Sequence, residues 1–420
     1  MFEKIVEKQL KASKLIIFIL IILLLGGAYI ASNLQIDPSF SNLVPKDSEF
    51  NTNDAKIKTA FEANDAVLLQ IKIDNDANIR NGPTNLLTEP IQIYLEELPK
   101  YMSQSQYVVD VSPIRYSEDN AIAEFVLSLK TPDKIGGFSE ALDELNMLKN
   151  EVGEPAGVNT IITGLPVLLQ KVTTLLITDN LNTILITLAL IFGILYWYFK
   201  NLKMTILTTS AAIIGLIFLG AGMVIFNIAV TITLAAVGVL ALGLGADYSI
   251  HIAIHYKHNK QKGMKTSKAV ITTVEELWKP ITASFLTTLA GFTALMLGVS
   301  PSSQSQGLVL ALSITIIYLV TLFIFPVLLY KFTKNVEFKQ NKVFVYIREF
   351  FAKLAVFQAK RAKLTIAIIA MITIIMLIGA SQVQFSTSNS NWIPSDDPVS
   401  LSFRESNYAF GNTDSITIIL

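Results

Sequence analysis

The stretch Leu240-Ala-Leu-Gly-Leu-Gly-Ala-Asp-Tyr-Ser-Ile-His-Ile-Ala-Ile-His-Tyr256 decides how this chain is read. It is apolar enough for a membrane helix, yet Asp247 places a carboxylate well inside the run. On insertion scales such a group costs about 3 kcal/mol at the helix centre, so it marks a functional site facing other helices. Gly243 and Gly245 remove side chains on its N-terminal side and let neighbouring backbone approach. His251 and His255 follow Asp247 by one and two turns on the same face. All 3 histidines of the chain lie within or just past this stretch. It reads as a buried proton-binding site.

Composition agrees with a membrane setting. Of the 420 residues, 52% are hydrophobic and only 16% charged, and the mean hydropathy is +0.51. A soluble domain of this length carries more charge. Net charge is zero, so no global field invites nucleic acid. The chain has no cysteine, which excludes disulfides, thiolate chemistry and Cys-ligated zinc or iron–sulfur centres. Its polar part contains no Ser/His/Asp triad, phosphate-cradling Gly-rich loop or two-carboxylate pair, so a hydrolytic enzyme is not expected.

Outward from the opening stretch lie five apolar helices, at roughly 181–199, 204–226, 229–256, 281–299 and 308–330, each about long enough to span a bilayer. Lys200 and Lys203, the run from Lys257 to Lys268, and the run from Lys331 to Lys342 fall on one side, which the positive-inside rule makes cytoplasmic. The loops around Asn227 and Ser300 carry no basic residue. A first span precedes them at 15–31, behind Lys4, Lys8, Lys11 and Lys14. Alone, that segment also fits a cleaved signal peptide.

Between the first span and the five lies a polar region with alternating signals. Ala66–Ile73, Val108–Val111, Ala121–Leu129 and Val158–Ile162 read as strands, and Thr88–Met102 and Phe138–Val152 as amphipathic helices. The order βαββαβ is the split-βαβ arrangement. Val167–Thr178 reads as an amphipathic stretch that lies at the membrane surface or extends the next helix outward.

The chain then repeats itself. Lys11-Ala-Ser-Lys-Leu15 matches Lys360-Arg-Ala-Lys-Leu364, and Ala31-Ser-Asn-Leu-Gln35 matches Ala380-Ser-Gln-Val-Gln384. Asn42-Leu-Val-Pro-Lys-Asp47 matches Asn391-Trp-Ile-Pro-Ser-Asp396, and Phe61 and Asp65 match Phe410 and Asp414. One offset of roughly 349 residues covers all of these, which makes 364–379 a seventh span. The chain reads as one half of a tandem-repeat protein plus the opening of the second, that is, as a truncated chain or fragment.

The expected fold class is an α-helical membrane bundle of about seven transmembrane helices with an α+β extracytoplasmic domain of ferredoxin-like βαββαβ type. The division is a cytoplasmic N-terminus and first span (1–32), an extracytoplasmic domain (33–178), the five-span bundle (179–332), a basic cytoplasmic linker (333–362), the seventh span (363–380) and the start of a second extracytoplasmic domain (381–420). The location is a multi-pass protein of the plasma membrane.

These residues carry a family resemblance across essentially the whole chain. One span, a large outer domain, five spans and the same again resembles the resistance-nodulation-division (RND) superfamily. Gly243-Leu-Gly-Ala-Asp-Tyr248 with Ile250-His251 is similar to its hydrophobe-exporter branch, which holds the mycobacterial large membrane proteins, the hopanoid transporters and the Patched-like proteins. Pro280-Ile-Thr-Ala-Ser-Phe-Leu-Thr-Thr-Leu-Ala-Gly-Phe292 resembles the next helix of that branch, and Gly307 and Pro326 match positions in its last helix. The resemblance implies that Asp247 and Tyr248 form a proton-relay pair and that the outer domain passes an amphiphile. It further implies that the helices from 181 to 330 correspond to a sterol-sensing-like region, and that a matching helix of the second half completes the relay.

The chemistry has its own argument. Burial disfavours the charged form of a carboxyl, which is how a membrane carboxylate comes to load and release protons near neutral pH. Ser284, Thr287 and Thr288 on the next helix are candidate hydroxyl partners, and His251 a secondary relay group. Tyr248, one residue on, points about 100° away, so the two need not touch. Against this stand plainer readings: a neutral, hydrogen-bonded Asp247 that only fixes helix packing, and Gly243 and Gly245 as packing glycines. His251 and His255 at i, i+4 have metal-ligand spacing, but neither a third ligand nor a local Glu is evident, so neither metal nor cofactor is expected. His255 and His258 fit the cytoplasmic interface.

Two functions follow. The first is a secondary transporter exporting lipids or other hydrophobic molecules, driven by protons, with the second half of the same protein as partner and a homo-oligomer as a further assembly. The second is a non-transporting lipid or isoprenoid sensor built on the same bundle.

Overall fold

The computed structural model describes residues 2–36, 65–74, 85–130, 137–234, 236–334, 342–383 and 396–411, with residues 48, 49, 52, 53, 56, 83, 336 and 338 between them. The repeat matches at 42–47 and 391–395, and those at Phe61 and Asp414, lie outside the described residues. The chain divides into two compact units, one of Met1–Gln35, Asp179–Val299 and Ser303–Thr387, the other of Ile36–Thr178, Ser300–Ser302 and Ser388–Leu420.

The second of these is built on a small antiparallel sheet. Its elements are β1 (Asp65–Ile73), α3 (Glu89–Met102), β2 (Val108–Val111), β3 (Arg115–Tyr116), β4 (Ile122–Leu129), α4 (Gly137–Val152) and β5 (Val158–Thr163). The strand order is β2-β4-β1-β5, with β3 pairing β4, and all pairings are antiparallel. Period-2 alternation sets which side of each strand is apolar. Val67, Leu69 and Ile71 of β1 and Ala123, Phe125, Leu127 and Leu129 of β4 form one core with Ile91, Leu95 and Leu98 of α3 and Leu145 of α4. Within that core the Tyr94 hydroxyl bonds Thr160 at 2.8 Å, and burial pushes its pKa up to about 12. Strand β3 lies between the two strands read from sequence at 108–111 and 121–129 and was not among the elements expected.

The other unit is the helical bundle. It comprises α1 (Phe2–Lys11), α2 (Ser13–Ala31), most of α5 (Leu165–Phe199), α6 (Leu202–Ile225), α7 (Val237–Gln261), α8 (Thr266–Leu295), most of α9 (Pro301–Leu319), α10 (Phe325–Phe332), α11 (Lys342–Lys360) and α12 (Ala362–Ala380). The final helix, α13 (Pro398–Phe410), belongs to the sheet unit. Asn201 caps α6, its side chain accepting from the Met204 amide at 3.1 Å. Pro326 has no N–H and would clash with a carbonyl four residues back; a π-helical segment, Val320–Ile324, absorbs the mismatch. Gly307 of α9 sits so close to α8 that a Cβ there would lie 2.7 Å from the Phe292 carbonyl oxygen.

Val167–Thr178 extends the following span as part of one continuous helix, α5, the second of the two readings offered from sequence. The structure departs from the patterning in three places. Helix α7 starts at Val237, later than expected, because Ile232–Leu234 form a short 3-10 turn first. Much of the expected basic linker is helix α11. The span expected at 281–299 is only the later part of α8, whose first half carries Glu275, Glu276 and Lys279. Among the described residues 6 helices, not seven, are long and apolar enough to cross a membrane.

The repeat is visible in backbone detail. Helices α2 and α12 each run 19 residues, and each is followed by a serine that bonds back into the last turn. Ser32 Oγ donates to the Tyr29 carbonyl, and Ser381 Oγ to the Ile378 carbonyl, both at 2.7 Å. Their burial differs. Leu20 and Gly27 of α2 are buried, and a Cβ on Gly27 would meet the Phe218 ring of α6 at 3.4 Å; α12 has no buried residue among those described.

Candidate functional site

Helix α7 is held by its inner face. Ala241, Leu242, Gly245, Ala246, Tyr248, Ser249, Ile252 and Ala253 are buried. The Ser249 hydroxyl is within 3.2 Å of the Thr208 carbonyl on α6 and 2.9 Å of the Ala246 carbonyl. A Cβ on Gly245 would meet Ala212 Cα of α6 at 3.3 Å, so this glycine permits the close approach of two helices.

The outer face carries the chemistry. Asp247 is 64% exposed and His251 58% exposed, with His251 Nε2 3.6 Å from Asp247 Oδ1. One turn further, His255 Nδ1 lies 3.4 Å from Glu276 Oε2 on α8. Gly243 lies on the same exposed side, and a Cβ there would meet nothing within 4 Å.

Three expectations therefore need correcting. Within this chain Asp247 is not buried; it projects from the bundle. Tyr248, only 5% exposed, points into the core, because successive helix positions diverge by about 100°. The pair does not share a face. Gly243 is not a packing glycine here, whereas Gly245 is.

The hydroxyl partners proposed from sequence turn back to their own helix. Thr287 Oγ1 donates to the Ser284 carbonyl at 2.9 Å, and so does Thr288 Oγ1. Among the described residues Asp247 makes no hydrogen bond to Ser284, Thr287 or Thr288, and its ion-pair partner is His251. Groups of three or more His, Asp or Glu arranged to hold a metal are absent among the described residues.

Glu276 was missed by sequence reasoning. Residues 275 and 276 fall before the span read from sequence as starting at 281. Their helical phase only shows once α8 is seen to begin at Thr266.

A model of the MMPL family matches residues 65–348. The chain belongs to the MMPL family. MMPL proteins lie within the RND superfamily and are transporters of hydrophobic substrates. The MMPL match spans the sheet and helices α3 to α10, so the whole Asp247–Glu276 face falls inside it. The chain is also similar to the membrane protein MJ1562 of Methanocaldococcus jannaschii, 24% identical over 347 residues, covering 75% of this chain and 89% of that protein. The chain with its MMPL match is a membrane protein with several apolar helices, 6 of them among the described residues long and apolar enough to cross a membrane.

Proposed function

We propose that the chain works in an RND-type secondary transporter that exports lipids or other hydrophobic molecules, and that proton movement through Asp247 drives it. The observation that carries the reading is a carboxylate in the middle of an MMPL membrane helix, outward-facing, with an imidazole one turn away. A lipid-facing carboxylate would cost about 3 kcal/mol, so the α7–α8 face is covered by helices in the working protein. The second half is the partner that covers it. In this reading Tyr248 acts from the inner side, fixing the rotation of α7, while Asp247 exchanges the proton.

The β2-β4-β1-β5 order with α3 and α4 packed on one side supports a ferredoxin-like outer domain. The lysine-rich loops support a cytoplasmic N-terminus, with the sheet unit outside the plasma membrane. Protonation of Asp247 changes which helix contacts are favourable and so biases a two-state motion of the bundle.

The test is export of a fluorescent long-chain lipid from proteoliposomes holding the full-length protein under an imposed pH gradient. Asp247→Asn is expected to lower flux more than about tenfold. Equal flux from Asp247→Asn would sink the proton mechanism. Lipid binding without pH-driven flux in the unmodified protein would replace it with a sensor.

A further inference from the structure

The α7–α8 face holds more titratable groups than one proton-binding carboxylate requires. Asp247, His251 and His255 occupy successive turns of α7, so the run descends about 12 Å toward the lysine-rich end of the helix. Its upper step is the 3.6 Å approach of His251 Nε2 to Asp247, and its lower step the 3.4 Å approach of His255 Nδ1 to Glu276. All four side chains are between 44% and 64% exposed, on the side of α7 away from its packed core. A carboxylate–imidazole–imidazole–carboxylate series with one group per turn is what stepwise proton transfer needs. Imidazole both accepts and donates at neutral pH through its two ring nitrogens.

We propose that protons leave Asp247 along this ladder, through His251 and His255 to Glu276, and so reach the cytoplasmic side. The inference rests on the proton-driven reading above and extends it by naming the exit route. Each step moves one proton between existing lone pairs. The Asp247 carboxyl gives its proton to His251 Nε2, leaving a carboxylate and an imidazolium. His251 then releases its Nδ1 proton to His255 Nε2, and His255 gives its Nδ1 proton to the Glu276 carboxylate; each ring turns over to restore its starting tautomer before the next proton. One proton enters at Asp247 and one leaves at Glu276; no heavy-atom bond forms or breaks. Transfer at the top step requires the 3.6 Å pair to close to hydrogen-bond length, about 2.7–2.9 Å when charge-assisted.

The other charged groups near this face are few. Helix α8 adds Lys268, Glu275 and Lys279, the last 5.8 Å from the Trp278 ring, and α6 has Lys203 in its first turn. On α7 itself Lys257 turns inward, 4.6 Å over the Tyr198 ring, Lys260 donates to Thr266 Oγ1 at 3.3 Å, and His258 lies beyond the ladder at the exposed end. The π-helical segment packed on α7 carries no charge.

The experiment measures lumenal pH with trapped pyranine in proteoliposomes of the full-length protein after a pH jump, with and without added imidazole. His251→Ala and His255→Ala are each expected to slow proton flux more than about tenfold, and imidazole, a diffusible stand-in for the missing ring, to restore most of it. Glu276→Gln is expected to slow flux and Glu276→Asp to retain it. Asp247→Asn is expected to be inactive and not rescued. If Asp247→Asn is inactive while both histidine variants run at the unmodified rate, the ladder is wrong and the proton-driven reading stands. Histidine variants that are slow but unmoved by imidazole also overturn the ladder, since a packing role gives that result. Full flux from Asp247→Asn removes both readings together.

Discussion

Glu124 on β4 and Asp247 on α7 are carboxylates on the faces of regular elements, and their surroundings differ completely. Glu124 is fully buried, bonded to Arg115 of β3 and to Ser406 of α13. Around it, Gln70 Nε2 donates to the Ser402 carbonyl at 2.9 Å, Lys72 pairs Glu405 at 2.8 Å, and Thr163 Oγ1 donates to the Val399 carbonyl at 2.9 Å. The element that seals this polar side of the sheet is the helix after the second copy of the repeat begins. Asp247, in the first copy's bundle, has no such cover and stays 64% exposed. The contrast teaches that in the sheet unit polar side chains of the first repeat are completed by a later segment, α13. For α7 we propose the second half in the same role. The uncovered α12 shows the same thing from the other side, since its twin α2 packs on α6 and α12 has no buried residue of its own.

Breaking the seal on the sheet has the largest expected effect. Arg115→Ala leaves Glu124 buried with Ser406 as a bonded partner; since Arg115 is itself half exposed, the cost is expected at the low end of that for breaking a buried pair, about 3 kcal/mol. Hydrogen-exchange protection across Ile122–Leu129 and Pro398–Phe410 should fall together. Protection lost in β4 alone would mean that α13 does not depend on this cluster.

A pair of glycines sharpens the contrast between packed and open surface. Gly307→Ala forces a methyl group toward the Phe292 carbonyl and should cost about 1–3 kcal/mol, read as a lower melting temperature in detergent. Gly243→Ala should change the melting temperature of this chain by an amount within measurement error. In the assembled protein it becomes costly if a partner helix lies against that face.

The smallest destabilisation expected to be measurable depends on pH. Burial raises the pKa of Asp397, but the hydrogen bond and charge of Lys171, 2.9 Å away, and the amides of Val399 and Ser400 outweigh it, so the carboxyl lies below the usual carboxylate range. A lowered folded pKa gives stability that is fully present above the unfolded value near 4 and is lost as pH falls through the folded one. Protection of α13 should therefore weaken below about pH 4. Asp397→Asn, which keeps a capping side chain but loses the ion pair, should flatten that dependence and cost about 1 kcal/mol at neutral pH. An unchanged acid limb in that variant would assign the loss to another group.

Much of the architecture was legible beforehand. The six elements read from sequence in the sheet unit lie within one or two residues of where alternation and helical spacing put them, because strands and amphipathic helices write their periodicity into neighbouring residues; β3 and α13 were not among them. Helix α8 was less legible. Glu275, Glu276 and Lys279 interrupt its hydropathy, and only backbone continuity from Thr266 to Leu295 reveals that they ride on the same helix as Ser284 and Thr287. For the site, sequence picked out Asp247, His251 and the glycines but could not orient them. Both Gly243 and Gly245 read as packing glycines, and only neighbouring α6 separates the one it touches from the one it does not.

By itself the sequence determined a membrane chain with an internal repeat, a polar sheet region and one carboxylate set deep in an apolar helix. Those properties follow from composition and local period, which need no knowledge of neighbours. Tertiary structure decided which way each side chain points: Tyr248 inward, Asp247 and His251 outward, His255 toward Glu276, and α13 over the polar side of the sheet. Such choices depend on contacts between residues far apart in the chain, and local periodicity carries no record of those.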